Sequence, residues 1–231
     1  MRDVAVFPAL IHHPDVGQHV LGFNAVKGAL ETVFGPLENQ PLSSQIYGLY
    51  TGFVYLTPFF GGMLADRILG QRKTVVLGAV LMAIGHFLMA AEGLFFVALM
   101  FLILGNGAFK PNISTQVGGL YPPGDPRRDG AFTIFYMGIN LGAMFSPLVC
   151  GTLGQTVGWH WGFGAAGVGM LVGLVVYLWG RRWLGPEPPR AAVPPARATR
   201  SIAVYILGTA AGLLALILGL PALLGPVPRL G

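Results

Sequence analysis

A lysine within an apolar stretch is the residue whose chemistry needs explanation first. Lys110 follows residues 94–109, which contain no charged side chain, and Pro111 comes directly after it. An ionisable side chain at membrane depth is costly and usually functional, so Lys110 is a candidate functional residue. Asn106 and Ser114 lie four residues before and after Lys110, which places all three on one helix face.

Two further apolar segments carry polar side chains at helical spacing. These faces are formed by Tyr47, Thr51 and Tyr55 in one segment and by Thr133, Tyr136 and Asn140 in the other. Three polar faces on three apolar helices suit a hydrated central cavity that binds a small zwitterion. The alternative, that the polar side chains only join helices by hydrogen bonds, stays open for Thr51, Thr133 and Ser114.

The composition places these faces in a membrane. Of 231 residues, 54% are hydrophobic and only 10% are charged, whereas about 25% are charged in a typical soluble domain. Such a chain cannot cover a soluble surface with charge, so a soluble globule, a disordered chain and a nucleic-acid-binding protein are excluded as overall descriptions. The net charge of +5 is better explained by loop placement than by a phosphate-binding face.

Apolar stretches of about 20 residues, the length needed to cross a bilayer, predict an all-α, multi-pass transmembrane helical bundle. The five clear spans are Ile46 to Ala65, Thr74 to Ala91, Leu94 to Lys110 with a polar continuation to Tyr121, Ala131 to Leu153, and Trp161 to Gly180. A Pro/Arg-rich linker at residues 185–200 precedes a sixth candidate, Ser201 to Leu224. The predicted divisions are therefore 1–45, 46–184, 185–200 and 201–231.

Basic residues alternate from loop to loop and predict the orientation. The loops after the first, third and fifth spans hold ten of the 14 Lys and Arg residues, and the opposite loops hold none. Because cytoplasmic loops are enriched in Lys and Arg, the basic loops are expected in the cytoplasm.

The stretch from Gly61 to Thr74 combines two glycines, a carboxylate and a basic turn. Asp66 can pair with arginines at the ends of neighbouring helices, and such a pair would hold one conformation closed. Asp66, Arg67 and Arg72 are therefore candidates for conformational gating. The alternative is an ordinary basic loop with a capping aspartate.

Several motifs in order carry a family resemblance. Gly61 to Thr74 resembles the loop between the second and third helices of the major facilitator superfamily. Three further stretches resemble signatures of its proton-dependent oligopeptide transporter family; they are Tyr47 to Pro58, Gly105 to Ser114, and Phe135 to Gly142. The resemblance runs from Ile46 to Gly185 and implies helices equivalent to the second to sixth of that fold, with residues 201–224 as an accessory helix.

The resemblance implies proton-driven symport of di- and tripeptides across the cell membrane. Lys110, Asn140 and Tyr55 match family positions that contact peptide or take part in proton coupling, with Lys110 as the coupling candidate. Tyr47 and Tyr136 complete the predicted substrate-binding set. The implied partners are short peptides, protons and membrane lipid. No cofactor beyond the proton gradient, no metal, no nucleic acid and no enzyme activity are expected.

The N-terminal segment departs from the family pattern. The first family helix carries an E-x-x-E-R-F signature, which residues 1–45 lack, so no function is carried onto Glu31 or Glu38. These 45 residues scatter charged side chains among apolar ones and are a poor span. The second half of the fold is also not matched. An incomplete fragment that needs a partner half, or a major facilitator carrier for another small solute, remains an alternative.

Overall fold

The computed structural model describes residues 19–185, together with residues 187, 200, 203, 204, 207, 208 and 211. Within these residues every regular element is helical, as the sequence predicted. The α-helices are α1 (Phe23–Phe34), α2 (Asn39–Leu64), α3 (Gln71–Met89), α4 (Phe95–Gly118), α5 (Arg127–Ser146), α6 (Thr152–Thr156) and α7 (Trp159–Gly180). The shorter turns are π-helical at Ala65–Leu69 and Pro147–Gly151, and 3₁₀ at Glu92–Leu94 and Arg181–Trp183.

Four stretches of the described residues are long and apolar enough to cross a membrane. They are Gln71–Met89, Glu92–Gly118, Arg127–Thr156 and Trp159–Trp183. These stretches correspond to the second to fifth predicted spans, with their ends shifted by a few residues. The third of them is interrupted by the π-helical turn that begins at Pro147.

The first predicted span differs from the helix that the structure forms. Residues 46–65 lie mostly within α2, but α2 is not among the four apolar stretches. Tyrosines, threonines and Pro58 keep the mean hydropathy of its most apolar part below that of the four stretches. Helix α2 also begins at Asn39 and so runs through the predicted boundary at residue 45. Pro41 permits this early start because a proline in the first helical turn removes no intrahelical hydrogen bond.

The N-terminal part that the structure describes packs on one end of the bundle. Helix α1 has 12 residues, a length of roughly 18 Å that is too short to span the hydrocarbon. Leu30 of α1 is buried against the start of α2, the end of α3 and the start of α4. Residues 1–18 and most of the sixth candidate span, residues 201–224, lie outside the described residues.

Contacts between the long helices fix their directions. Thr57 bonds to Ile103 and Asn112 bonds to Gly61, so α2 and α4 run parallel. Gly78 lies beside Gly105 and Gly85 beside Leu102, so α3 runs antiparallel to α4.

Helix α7 runs parallel to α4, because Tyr177 near its end bonds to Gln116 near the end of α4. The connections after α2, α4 and α7 therefore lie at one end of the bundle. These are the three loops rich in Lys and Arg, so the alternation read from the sequence is a geometric feature of the fold. Which end faces the cytoplasm stays a prediction.

Helix α4 lies at the centre of the bundle, between α2 and α3, and glycines allow this close packing. A Cβ on Gly61 would fall on the carbonyl oxygen of Gly107, and a Cβ on Gly107 would lie 2.6 Å from Thr57 Cβ. Because Pro111 has no N–H, the Gly107 carbonyl lacks its usual helical donor. The seam between α2 and α4 is therefore a backbone-to-backbone contact that admits no larger side chain.

Candidate functional site

Lys110 and Tyr55 meet across α4 and α2. Lys110 Nζ lies 5.0 Å from the centroid of the Tyr55 ring. Both side chains are exposed, Tyr55 to 70%. In the described part of the chain, no carboxylate lies within 4.0 Å of Lys110 Nζ. The aromatic face is thus the neighbour that attracts the ammonium here, and the N–H donors remain open to a ligand.

Two buried polar side chains hold α2 and α4 in this register. Thr57 is fully buried, and its Oγ1 donates toward Phe53 O at 2.9 Å and Ile103 O at 3.1 Å. Asn112 is 2% exposed, and its Nδ2 donates to Gly61 O at 3.2 Å and to Ala108 O at 2.8 Å.

Sequence reasoning missed these two positioning residues. Thr57 lies two residues after Tyr55, and Asn112 lies two residues after Lys110, so they support the cation–aromatic pair from inside the bundle. The available signal was an asparagine directly after the Lys-Pro pair of an apolar helix, where a polar amide needs a hydrogen-bond partner.

The predicted polar face of α4 is less uniform than its spacing suggested. Ser114 Oγ donates to Lys110 O at 3.1 Å, within the helix. The Asn106 side chain is partly buried, and among the described residues its Oδ1 has no hydrogen-bond partner. Lys110 is the exposed residue of this set, and the side of α4 on which it stands, left uncovered by the described chain, is called the open side.

The candidate residues of α5 stand on an open helix. Tyr136 is 56% exposed and stacks on Phe132 at 6.4 Å between ring centroids. Asn140 Nδ2 donates to Tyr136 O at 2.9 Å, and Thr133 Oγ1 donates to Asp129 O at 2.9 Å, so both bonds stay within α5. The structure thus brings Lys110 and Tyr55 together but does not bond Tyr136 or Asn140 to them.

Tyr47 and Thr51 precede Tyr55 on the same side of α2, and Tyr47 is 60% exposed. Exposed candidates therefore stand on three helices, α2, α4 and α5, on surfaces that the described chain leaves uncovered.

The three gating candidates are not joined as the sequence suggested. Asp66 and Arg67 are exposed in the π-helical turn, and no ion pair among the described residues includes them. Arg72 follows Gly70, which turns the chain with a φ of 82°. Because of that turn, Arg72 contacts the segment after α7 instead. Its Nη2 donates to Gly185 O, and its backbone N–H donates to Glu187 Oε1 at 2.8 Å.

An ion pair fixes the start of α5. Arg127 Nη2 lies 2.7 Å from Asp125 Oδ2, and the Arg127 backbone N–H donates to Asp125 Oδ1 at 2.9 Å. These hydrogen bonds from Arg127 lower the pKa of the Asp125 carboxyl below its ordinary value. The carboxylate thereby satisfies a helix-start N–H group that has no partner within the helix.

Four described stretches that are long and apolar enough to cross a membrane, packed as one helical bundle, define a multi-pass membrane protein. The chain belongs to the POT family, whose model matches residues 72–211.

Relatives with known names match part of their own length. The chain is 50% identical over 140 residues to the peptide transporter YePEPT of Yersinia enterocolitica, covering 58% of this chain and 27% of that protein. It is 44% identical over 166 residues to the di-/tripeptide transporter of Lactococcus lactis subsp. cremoris, covering 70% and 33%. The chain thus spans about a third or less of these relatives.

Solved structures agree on the fold. A peptide transporter POT in complex with sulfate matches with a TM-score of 0.67 and 34% identity, covering 94% of this chain and 44% of that one. A POT family transporter in complex with 5-aminolevulinic acid matches with a TM-score of 0.64 and 29% identity, covering 96% and 47%. The described helices therefore correspond to part of the major facilitator fold, as the sequence predicted.

Proposed function

We propose that this chain forms part of the transport path of a proton-coupled symporter for di- and tripeptides. The observation that carries the proposal is the Lys110–Tyr55 pair, which stands exposed on the open side of a POT family bundle. Named peptide transporters among the relatives support the choice of substrate.

The chemistry of the exposed side chains fits a zwitterionic peptide. The Lys110 ammonium offers three donors to a peptide carboxylate, and the Tyr55 hydroxyl can donate or accept beside it. In this proposal Tyr47, Tyr136 and Asn140 add polar contacts from α2 and α5. A proton that moves onto or off Lys110 Nζ would change the charge that holds the carboxylate, which couples proton movement to peptide release.

Major facilitator transporters place substrate between two helical halves that rock against each other. Because the chain covers less than half of the solved structures that it matches, the proposal assigns it one half of the path. The other half would come from a longer form of the protein or from a partner. The proposal also places the chain in the cell membrane, with its basic loops in the cytoplasm. Asp66, Arg67 and Arg72 would act in gating through contacts of another conformation.

The direct test is peptide binding and uptake by the purified chain. Dialanine affinity is measured in detergent, and uptake is measured in proteoliposomes with an acidic exterior. Lys110→Gln is expected to weaken dialanine binding about ten-fold or more, because it removes a hydrogen bond to a charged group. Tyr55→Phe keeps the ring and removes the hydroxyl, so a smaller loss is expected.

Lys27→Gln is the matched control. Lys27 is a partly exposed lysine in α1 whose Nζ lies 3.8 Å from Glu31 Oε1. Binding that is equally strong in the wild-type chain, Lys110→Gln and Lys27→Gln would reject Lys110 as a peptide ligand. Binding without uptake would support a binding half that needs its partner.

A second candidate substrate is a small amino-acid zwitterion. It is favoured by the similar POT family structure that was solved with 5-aminolevulinic acid. Competition of unlabelled 5-aminolevulinic acid against labelled dialanine separates the two. Full displacement at equal or lower concentration would favour the smaller solute.

A further inference from the structure

Two adjoining cavities lie at the end of the bundle that carries the basic loops. The larger, of 360 Å³, is bounded by the start of α3, the end of α4, the start of α5 and the segment after α7. The smaller, of 220 Å³, continues between α4 and α7. Both are lined by Gln116, Leu120 and Leu184, so one groove joins them.

The larger cavity is cationic. Arg72 and Arg128 line it, and Glu187 is the acidic residue among its lining side chains. Arg128 is partly buried, and within the part of the chain that the structure describes its Nε has no hydrogen-bond partner and its side chain forms no ion pair. Asp125, which is close in sequence, is engaged by Arg127 at 2.7 Å. Two guanidinium groups therefore face one carboxylate, and the cavity keeps a positive charge.

A carboxylate oxygen of the protein is already bound at the start of α3, beside the larger cavity. The Arg72 backbone N–H, at the N-terminus of α3, donates a hydrogen bond to Glu187 Oε1, with 2.8 Å between nitrogen and oxygen. The N–H groups and dipole of a helix start favour anions, phosphate groups included. The cavity thus combines the start of a helix with two arginine guanidinium groups. The planar guanidinium presents N–H donors that match phosphate oxygens.

The smaller cavity has a different lining. Ile113, Val117, Leu120 and Leu184 supply apolar walls, and Arg181 is the charged residue in its lining. A cationic chamber that opens into an apolar groove matches a molecule with an anionic head and a hydrocarbon tail.

Aromatic side chains at the same end indicate the depth of the membrane surface. Trp179 and Trp183 are 60% and 61% exposed, and the Arg182 guanidinium lies 4.6 Å and 4.2 Å from their ring centroids. Tryptophan is enriched at the level of lipid headgroups. This end of the bundle is predicted to face the cytoplasm. Anionic phospholipids are therefore available to it, because the cytoplasmic leaflet of the membrane carries them.

We propose that these cavities form a binding site for one anionic phospholipid, with its phosphate between Arg72 and Arg128 and one acyl chain along Val117, Leu120 and Leu184. Lys110 lines neither cavity, and the proposed lipid site does not depend on the proposed transport function. A phospholipid bound in this site would contact the starts of α3 and α5 and the ends of α4 and α7, and would hold these four helix ends together.

The test is a lipid titration of the full chain in detergent, read by native mass spectrometry without peptide. Dioleoyl phosphatidylglycerol is expected to bind one molecule per chain more tightly than dioleoyl phosphatidylcholine. Arg128→Gln should weaken phosphatidylglycerol binding about five-fold, the effect of one basic residue near an anionic lipid. Lys73→Gln is the matched control, because Lys73 is exposed beside Arg72 and lines neither cavity.

Two further variants keep the test decisive if Arg128→Gln folds poorly. Arg128→Lys retains the charge and should retain most of the binding. Glu187→Gln removes the competing carboxylate and should strengthen phosphatidylglycerol binding. Equal affinity for both lipids, or equal weakening by Arg128→Gln and Lys73→Gln, would overturn the proposal. Displacement of the lipid by glycerol 3-phosphate at similar concentration would also overturn it, in favour of a small-anion site.

Discussion

The α2–α4 seam and helix α5 are opposite cases of packing in one bundle. At the seam, Gly61 and Gly107 bring the two backbones into contact, and the buried side chains of Thr57 and Asn112 bond across it. Helix α5 has no buried residue, and the hydrogen bonds of Thr133 and Asn140 stay within it.

The difference shows which part of the candidate site this chain organises by itself. Lys110 and Tyr55 stand on the two helices that the seam locks together, so their distance is fixed by buried structure. Tyr136 and Asn140 stand on a helix whose position other contacts must fix. If this division holds, substitutions at the seam should change the stability of the chain more than matched substitutions in α5.

Gly61→Ala should destabilise the chain more than any other single methyl addition discussed here. The new Cβ would overlap the Gly107 carbonyl, and backbone on both sides leaves no flexible side chain to move. Overpacking of this kind costs about 3 kcal/mol. Thermal unfolding in detergent, followed by circular dichroism, measures the loss.

Gly138→Ala is the control for that substitution. Gly138 lies in α5, and a Cβ there would meet nothing within 4 Å. Replacing glycine by alanine in an open helix stabilises by up to about 1 kcal/mol. If Gly61→Ala and Gly138→Ala shift the melting temperature alike, the seam is not the close contact described.

Much of the fold could be predicted from the sequence because a bilayer imposes length and hydropathy on each span. Four of the predicted spans correspond to the apolar stretches of the structure, and the basic loops lie at one end. Helix α2 was harder, because tyrosines and threonines lower its hydropathy and its first turns are polar. The docking of α1 depends on tertiary contacts of Leu30 that no local pattern encodes.

The site could be predicted in its residue types but not in its contacts. Helical spacing put Tyr55 on a polar face and Lys110 on another, yet only packing shows that these faces meet at 5.0 Å. Asp66 was expected to pair with arginine, but the turn at Gly70 directs Arg72 to Gly185 and Glu187. Contacts between side chains that are distant in sequence depend on how the helices pack in three dimensions. The spacing of residues within one segment does not specify that packing.

Asn112→Ala should have an intermediate effect. It removes the bond to Gly61 O across the seam and leaves that buried carbonyl without this donor. Hydrogen bonds between membrane helices contribute about 1 kcal/mol each, so the melting temperature should fall clearly but less than in Gly61→Ala.

The matched control for this change is Asn140→Ala, which removes an exposed amide bonded within its own helix. A much smaller shift is expected there. Equal shifts in the two alanine variants would mean that the cross-helix bond of Asn112 contributes nothing beyond a local one.

Asp125→Asn should have the smallest effect, and its pH dependence identifies the cause. Arg127 lowers the pKa of Asp125 below its ordinary value of 3.8, so the folded state favours the carboxylate. The stabilisation is therefore complete above that ordinary value and is lost as the pH falls through the lowered pKa of the folded state. Asp125→Asn should lower the melting temperature slightly at about pH 7, and the difference should shrink as the pH falls below 3.8. Because the Arg127 side chain is exposed, added salt should shrink the difference. Arg127→Gln should reproduce the loss, and the double variant should lose no more than either single one. A difference that persists at low pH would mean that Asp125 acts by packing rather than by charge.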